Sequence, residues 1–212
     1  MGTAVADSVV YIVDDDEAVR DSLITLLEAR GYRTQAFATA EAFLESGAAP
    51  SLSGCLLLDV NLPGVGGLSL LQQIAQISPN LPVLMMTGMG QVATAVQAMK
   101  AGAMDFLEKP LDADTLFALV DRALAASARA TASAEQHSRA RAWLDRLTPR
   151  ERSVFDRLAQ GKTNKQIAVE LKISPRTVEI HRANLMDKLE ATSVSDLIRL
   201  SSSMGAGPEA GS

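Results

Sequence analysis

The 212-residue sequence predicts an α/β domain followed by a small all-helical domain. Within the first 125 residues, five short runs of apolar and β-branched residues alternate with stretches whose apolar residues recur at helical spacing. From residue 146 onward the pattern is helical only and contains repeated helix-start signals. Five β–α alternations favour a parallel sheet covered by helices on both faces, with right-handed crossovers.

The predicted strands of the first domain are short and lie at 9–13, 33–37, 55–59, 83–87 and 104–107. Between the first two strands, leucines at positions 23, 26 and 27 are followed by Gly31, which is typical of a helix that ends at a glycine. We therefore expect one domain over residues 1–125.

Residues 126–145 differ from both neighbouring regions, because they lack apolar periodicity and are rich in alanine. Alanine is the strongest helix former. We interpret this segment as a linker that continues the fifth helix of the first domain. A flexible coil is the alternative.

Four helix-start signals define the second domain, which we place at residues 146–204. The signals are the segments 148–151, 163–166, 174–175 and 193–196. The first combines a capping box with a proline at the first helical position, and the second is another capping box. Four capped helices at this spacing predict a small bundle. The tail at 205–212 is expected to be disordered.

The composition excludes several classes of protein. No apolar run approaches the roughly 18 residues that a membrane span requires, so we expect no membrane association. The N-terminus lacks the basic and apolar segments of a secretory signal. Cys55 is the single cysteine, so there is no internal disulfide, and we expect a cytoplasmic protein with Cys55 in its core. One cysteine and two histidines are too few for a zinc site.

The net charge of −5 conceals a difference between the two halves. Residues 1–126 contain 15 acidic and 6 basic residues, whereas residues 127–212 contain 10 acidic and 14 basic residues. The first part is therefore net −9 and the second net +4. This asymmetry suggests two modules, and the second is suited to a partner that prefers a basic surface.

Polar side chains stand where the predicted strands end. Asp14 and Asp15 follow the first strand, Asp59 ends the third, Thr87 ends the fourth and Lys109 follows the fifth. In an open parallel sheet these positions share one edge, which is where ligands bind. Three carboxylates together require a cation, and oxygen ligands favour Mg²⁺ or Mn²⁺, with room left for a phosphate.

These positions and their spacing resemble the receiver domain of two-component response regulators, a CheY-like fold with strand order 2-1-3-4-5, over residues 8–125. The resemblance implies that Asp59 accepts a phosphoryl group from a sensor histidine kinase. It also implies that Asp14, Asp15, Asp59 and the Asn61 carbonyl hold the metal. By the same resemblance the phosphate is sensed by Thr87, Lys109 and the aromatic Phe106, and the Lys109–Pro110 bond is cis.

One enzymatic alternative is a phosphatase of the haloacid-dehalogenase type. Asp14 and Asp16 have the spacing of its aspartate pair. That family requires a cap or substrate pocket, for which this domain has no insertion, and Asp59 would have no role in it. We therefore expect no enzyme beyond self-phosphorylation and slow autodephosphorylation. Asp16 itself is interpreted as an acid in the first turn of a helix.

In the second domain, residues 163–189 predict a helix, a turn and a second helix. On the second helix Val178, Leu185 and Leu189 share one face, which leaves the opposite face free to enter a DNA major groove. The run LTPRERSVFDRLAQGKTNKQIAVELKISPRTVEIHRANLMDKL resembles the LuxR-type helix-turn-helix of the NarL/FixJ family along its whole length.

This resemblance implies that Glu179, Ile180 and Ala183 lie at base-reading positions. It implies phosphate or sugar contacts for Lys165, Ser174, Arg176, Thr177, His181 and Arg182. Related domains often carry lysine at the positions of Glu179 and Ala183, so we expect a different base preference here. Packing against a neighbour is the alternative for Ile180 and His181.

Together these features predict a DNA-binding transcriptional response regulator. We expect phosphorylation to cause homodimerisation through the fourth helix and fifth strand, and dimerisation to enable promoter binding, with RNA polymerase as a further partner. The surface involved contains Val92, Val96, Met99, Lys100 and Asp105. The alternative is a receiver-bearing adaptor whose bundle binds protein.

Overall fold

The computed structural model describes residues 8–46, 53–88 and 92–202, and within these ranges it leaves out the side chains of Val92, Leu200 and Ser202. The chain divides into two compact units, Met1–Thr131 and Ala132–Ser212. The tail predicted to be disordered, 205–212, lies outside the described residues.

The first unit contains a five-stranded parallel sheet in the order β2-β1-β3-β4-β5, as predicted. The strands are β1 (Val9–Val13), β2 (Arg33–Phe37), β3 (Gly54–Asp59), β4 (Val83–Thr87) and β5 (Asp105–Glu108). The helices are α1 (Glu17–Ala29), α2 (Ala40–Glu45), α3 (Gly67–Ile77), α4 (Val92–Lys100) and α5 (Ala113–Leu144). The strands therefore alternate with helices, which requires crossover connections between parallel neighbours.

Two strands begin at residues other than those predicted. β3 starts one residue early, at Gly54, whose φ is +144° and whose position would bring a Cβ atom within 1.9 Å of the Val9 carbonyl oxygen. A residue with a side chain would clash there, so the glycine belongs to the strand instead of preceding it. β5 runs from Asp105 to Glu108, one residue later than predicted.

Apolar side chains cover both faces of the sheet, because alternate residues of a strand point to opposite sides. One cluster includes Phe43 of α2 and Ile74 of α3, and the other includes Leu27 of α1 and Val120 of α5. Cys55 belongs to the second cluster, and burial raises the pKa of its thiol to about 12. The thiol is therefore a core side chain, as predicted, and is not reactive at neutral pH.

Helix α5 extends through residues 126–144, so this part of the linker continues the fifth helix, as predicted, and is not a coil. Before this segment leaves the first unit, the Ser127 hydroxyl accepts a hydrogen bond of 3.1 Å from the buried N–H of Gly54. The start of β3 is thereby fixed to the fifth helix.

The second unit is a helical bundle. After the C-terminal part of α5 it contains α6 (Pro149–Ala159), α7 (Asn164–Leu171), α8 (Pro175–Lys188) and α9 (Val194–Ser202). Its core is formed by residues such as Leu144, Phe155, Ile167, Val178 and Leu197. No helix in the part of the chain that the structure describes is long and apolar enough to cross a membrane.

The predicted capping boxes are confirmed. The Thr148 hydroxyl accepts the Glu151 N–H, and the Glu151 carboxylate accepts the Thr148 N–H. Thr163 and Gln166 form the same reciprocal pair at α7. Such boxes satisfy N–H groups that a helix start leaves without intrahelical partners, and they fix where each helix begins.

Candidate functional site

The first candidate site is a pair of buried carboxylates at the carboxyl edge of the sheet. Asp14 follows β1 and is fully buried, and Asp59 ends the neighbouring β3 with 3% of its surface exposed. The Lys109 ammonium lies 2.7 Å from Asp14 Oδ2 and 2.7 Å from Asp59 Oδ1. One lysine therefore joins the two acids that the sequence placed at this edge.

The remaining carboxylate oxygens accept backbone hydrogen bonds. The Asp16 N–H donates to Asp14 Oδ1 at 3.0 Å, and the Asn61 N–H donates to Asp59 Oδ2 at 2.7 Å. These contacts fix both carboxylates in orientation. Each oxygen retains a lone pair for a further partner.

This site contains two carboxylates but a single ammonium group. Burial raises the pKa of Asp14 above its ordinary value, although the hydrogen bonds from Lys109 and Asp16 oppose that effect. Burial alone would lower the pKa of Lys109, but its hydrogen bonds to Asp14 and Asp59 outweigh burial and raise it. Two carboxylates thus share one ammonium, and a net negative charge remains in a desolvated place.

The structure does not bring Asp15 into this pair. Asp15 is exposed, and among residues 8–46, 53–88 and 92–202 no three His, Cys, Asp or Glu side chains are close enough to hold a metal ion. The buried oxygens and the residual negative charge nevertheless match the donor set that Mg²⁺ prefers. The site therefore fits a hard cation that pairs with Asp14 and Asp59.

Thr87 and Lys109 are connected through the backbone. The Lys109 N–H donates to the Thr87 carbonyl at 2.7 Å, and the Lys109–Pro110 bond is cis as expected. Thr87 is buried, and its hydroxyl has a long contact of 3.3 Å to the Gly88 carbonyl. Phe106 lies on β5 with 44% of its surface exposed, so its ring is directed outward.

Sequence reasoning missed Arg20, on α1. Its Nη1 atom lies 2.9 Å from the carbonyl oxygens of both Asp14 and Asp15. The sequence did contain an indication of this role. A cation near the first turn of a helix interacts unfavourably with the helix dipole, so an arginine there suggests a specific contact. Asp16, by contrast, caps α1 by accepting the N–H groups of Ala18 and Val19.

The second candidate site is the outer face of α8. Val178, Leu185 and the following Leu189 are buried in the bundle core, as predicted. The predicted DNA-contact residues that are exposed are Lys165, Ser174, Arg176, Glu179, Ile180 and Ala183, and those that are half-buried are Thr177, His181 and Arg182. Ile180 is 54% exposed, so its side chain is available to a partner.

Two of these residues also have a local structural role. The Ser174 hydroxyl accepts the Thr177 N–H at 3.1 Å and lies 2.8 Å from the Thr177 hydroxyl. They cap α8 and fix its first turn. A residue that contacts phosphate from this turn would therefore be held by the same hydrogen bonds.

A partly buried ion pair that the sequence did not reveal fixes the orientation of α8. The Lys188 ammonium lies 2.7 Å from Glu151 Oε2, which also accepts the Thr148 N–H at 2.8 Å. Burial tends to raise the pKa of Glu151, but the hydrogen bonds from Lys188 and Thr148 outweigh it, so the pKa lies below its ordinary value. The end of α8 is thereby tied to the start of α6.

Comparison with family models gives two matches. Residues 10–121 match the response regulator receiver domain, and residues 145–201 match the bacterial regulatory proteins of the luxR family. The first match alone covers more than half of the chain.

Individual proteins agree with these matches over nearly the whole length. The transcriptional regulatory protein FixJ of Bradyrhizobium diazoefficiens is 46% identical over 92% of this chain and 95% of its own, and FixJ of Rhizobium meliloti is 41% identical over 95% and 98%. Among solved structures, the response regulator StyR aligns with a TM-score of 0.83 at 37% identity over 93% of this chain and 99% of its own. Full-length FixJ from B. japonicum aligns with a TM-score of 0.57 at 44% identity over 94% and 98%.

Proposed function

This chain belongs to the two-component response regulators of the NarL/FixJ family, and we propose that Asp59 is the residue through which it accepts a phosphoryl group. Its receiver and LuxR-type domains make it a DNA-binding transcriptional regulator that phosphorylation activates. A receiver implies a histidine kinase as partner, and the second domain implies DNA. The match to a family of bacterial regulators favours DNA over the protein-binding adaptor alternative.

The observation that carries the assignment of Asp59 is its shared ammonium. Asp59 is the carboxylate at the end of the central strand β3, 2.7 Å from Lys109. Asp14 has the same partner but is fully buried, so it offers no surface to an incoming phosphoryl group, whereas Asp59 keeps 3% of its surface exposed. Asp16 is occupied in capping α1, which argues against the dehalogenase-type alternative.

In the transfer, an Asp59 carboxylate oxygen attacks the phosphorus of a phosphohistidine on the kinase. The new O–P bond forms as the N–P bond breaks, and the histidine nitrogen leaves with the electron pair. Catalysis of such a step depends on positioning and on neutralising charge at the phosphoryl oxygens. The Lys109 ammonium, which is already beside Asp59, can turn to the new phosphoryl group.

A divalent cation completes the proposed site. Asp14, Asp15, Asp59 and the Asn61 carbonyl would hold Mg²⁺, which when bound supplies further charge neutralisation at the phosphoryl oxygens. Asp59 is already oriented for this, because the Asn61 N–H holds its second oxygen. Without the cation, Lys109 is the group that offsets the repulsion between Asp14 and Asp59.

The phosphate is sensed, in our proposal, by Thr87, Lys109 and Phe106. Among the described residues the Thr87 hydroxyl makes only a long contact, of 3.3 Å, so a phosphoryl oxygen would be a better acceptor. Its inward movement leaves space that the outward Phe106 ring can fill. Because Phe106 pairs with Met85 on β4, two residues before Thr87, the two side chains belong to adjacent strands.

This movement changes the α4–β5 patch, which we define as the predicted residues Val96, Met99, Lys100 and Asp105 together with Phe106. The side chain of Val92, which was also predicted, lies outside the described residues. Val96 and Met99 are 48% and 44% exposed, and Asp105 is already paired with Arg122 on α5. We propose that two copies of this patch form an isologous dimer. A shift from 1:99 to 99:1 in favour of the dimer requires roughly 5.5 kcal/mol, which two phosphates with charge-assisted bonds can largely provide.

The dimer presents two α8 helices to DNA. Glu179, Ile180 and Ala183 would read base edges, and their exposure supports this. Linking two weak sites raises the effective concentration of the second, so the dimer binds much more tightly than the monomer.

We retain 1–125, 126–145 and 146–204 as the receiver, linker and DNA-binding segments. We propose that the chain acts in the cytoplasm, with promoter DNA and RNA polymerase as its partners there.

Mass spectrometry after treatment with acetyl phosphate and Mg²⁺ tests the assignment of Asp59. We expect one added phosphoryl group in the parent chain and none in Asp59→Asn. The matched control is Asp16→Asn, which should still be phosphorylated. A phosphoryl group on Asp14 or Asp16, or retention of phosphorylation in Asp59→Asn, would contradict the proposal.

A further inference from the structure

Arg20 makes an unusual pair of contacts beside the acidic site. It is a half-buried residue of α1, and its Nη1 atom is 2.9 Å from the Asp14 carbonyl oxygen and 2.9 Å from the Asp15 carbonyl oxygen. A single nitrogen thus joins two consecutive peptide groups. Those are the peptide groups whose residues carry the carboxylates proposed to hold the cation.

Arg20 binds the two carbonyl groups of this turn, whereas the other hydrogen bonds of the turn are made by its N–H groups. The Asp14 N–H is bound to the Phe37 carbonyl of β2, and the Asp14 carboxylate is bound to the Asp16 N–H. These bonds hold the N–H side of the turn. Arg20 holds the carbonyl side, so the backbone is fixed where the chain passes from β1 into α1.

Charge alone does not explain an arginine at this position. The guanidinium is positive at every relevant pH and would repel a divalent cation beside it. It would also oppose the dipole of α1. Hydrogen bonds from a charged donor are about twice as strong as neutral ones, so the geometric contribution can exceed both costs.

We propose that Arg20 is a positioning residue, which fixes the backbone of the Asp14–Asp15 turn from which the two carboxylates would reach the cation. This inference rests on the proposed function, because it takes Asp14, Asp15 and Asp59 as the metal site. Arg20 does not touch the reacting atoms. Its effect should therefore appear in the affinity for Mg²⁺ and not in the maximal rate.

The experiment is calorimetric titration of Mg²⁺ into the full chain and the variants Arg20→Met, Arg20→Lys and Arg30→Met. Arg20→Met keeps an unbranched stem but cannot donate, and we expect about tenfold weaker binding, as for other groups that orient metal ligands. Arg20→Lys should be intermediate. Arg30→Met, at the other end of α1 where Arg30 lies over the Phe117 ring, should bind as the parent does.

A second readout is the rate of phosphorylation by acetyl phosphate as a function of Mg²⁺ concentration. In Arg20→Met we expect the Mg²⁺ concentration for half-maximal rate to rise about tenfold, with the maximal rate within about twofold of the parent. Thermal unfolding without metal checks that each variant is folded at the temperature of titration. If Arg20→Met is unfolded at that temperature, the Mg²⁺ affinity of Arg20→Lys is compared with that of the parent instead.

The outcomes separate the possible roles of Arg20. Tighter Mg²⁺ binding by Arg20→Met, with Arg20→Lys equal to the parent, would show that the guanidinium acts through charge, and unchanged binding would show a role in folding alone. Either result overturns the inference. If the parent chain itself does not bind Mg²⁺, or Asp15→Ala binds it equally well, the proposed function fails and not the inference about Arg20.

Discussion

Each unit of the chain contains a lysine whose ammonium lies 2.7 Å from a buried carboxylate. In the second unit, Lys188 serves Glu151 alone, and Glu151 also accepts a backbone N–H, so its pKa is lowered. In the first unit, Lys109 is divided between Asp14 and Asp59, and the pKa of Asp14 is raised. The lysine–carboxylate distance is therefore the same in both units, but the pKa of the carboxyl group is shifted in opposite directions.

The difference shows how a structural ion pair can be distinguished from a functional one. Glu151 and Lys188 neutralise each other, and the pair holds α8 against α6. Asp14, Asp59 and Lys109 leave one negative charge uncompensated in a desolvated place, and we expect this charge to lower the unfolding free energy of the metal-free protein. The comparison predicts that mutations at the two clusters will change stability in opposite directions.

The largest of these effects is expected for Lys188→Met. The substitution leaves Glu151 buried without its ammonium, and we expect the second unit to lose about 2 kcal/mol of unfolding free energy. This value is reduced from that of a fully buried pair, because about a third of the Lys188 side chain is exposed. Urea unfolding of the full chain measures it, with Lys172→Met, an exposed lysine, as control. Equal unfolding free energies for the two variants would show that the Glu151–Lys188 ion pair does not stabilise the second unit.

The opposite sign is expected for Asp14→Asn in the absence of divalent cations. Asparagine can still accept the Asp16 N–H, but it removes a desolvated charge and leaves Lys109 paired with Asp59 alone. We expect the first unit to gain about 1 kcal/mol, and we expect that gain to disappear with saturating Mg²⁺. Thermal unfolding with and without Mg²⁺ tests this. Asp15→Asn, at an exposed position, should change the metal-free stability little.

A smaller effect concerns pH. Because the folded pKa of Glu151 lies below its ordinary value of 4.5, the ionised form contributes stability that is complete above 4.5. That contribution is lost as the pH falls through the lower folded pKa. We therefore expect the unfolding free energy of the second unit to fall more steeply with acid in the parent than in Glu151→Gln. Parallel curves between pH 5 and pH 2 would show that Glu151 is not perturbed.

The smallest expected effect on stability belongs to Lys165→Gln. Lys165 is exposed on α7 and, unlike Lys188, has no ion pair with an acidic side chain in the described part of the chain. We expect unfolding free energy to change by less than about 0.5 kcal/mol. DNA affinity should fall, and the slope of log K against log salt should decrease by about 0.9 if Lys165 contacts one phosphate. An unchanged slope would remove Lys165 from the proposed interface.

Much of this architecture follows from local rules. Alternating strands and helices predict a parallel sheet, and the shared edge of such a sheet brings Asp14, Asp59 and Lys109 together although they are far apart in sequence. The capping boxes at Thr148 and Thr163 depend only on residues within one turn. These features are predictable because each is set by spacing along the chain.

The remainder depends on tertiary contacts that have no sequence period. A glycine such as Gly54 usually indicates the end of a strand, and only the structure shows that the Val9 backbone lies too close to allow a side chain there. Glu151 and Lys188 are 37 residues apart, and their pairing follows from the packing of α6 on α8. The outward position of Asp15 could not be predicted either, because adjacent acids at a strand end have the same sequence pattern whether or not they converge.

The hydrogen bond between Ser127 and Gly54 has a consequence for how the receiver is prepared as an isolated fragment. A chain cut after residue 125 would lack the Ser127 hydroxyl and leave the buried N–H of Gly54 without that acceptor. An unsatisfied buried donor costs about 1–3 kcal/mol, a large part of the stability of a small domain. A fragment that ends at Thr131, where the first compact unit ends, retains this bond. Phosphorylation and metal titrations of the separated receiver are therefore best made on residues 1–131.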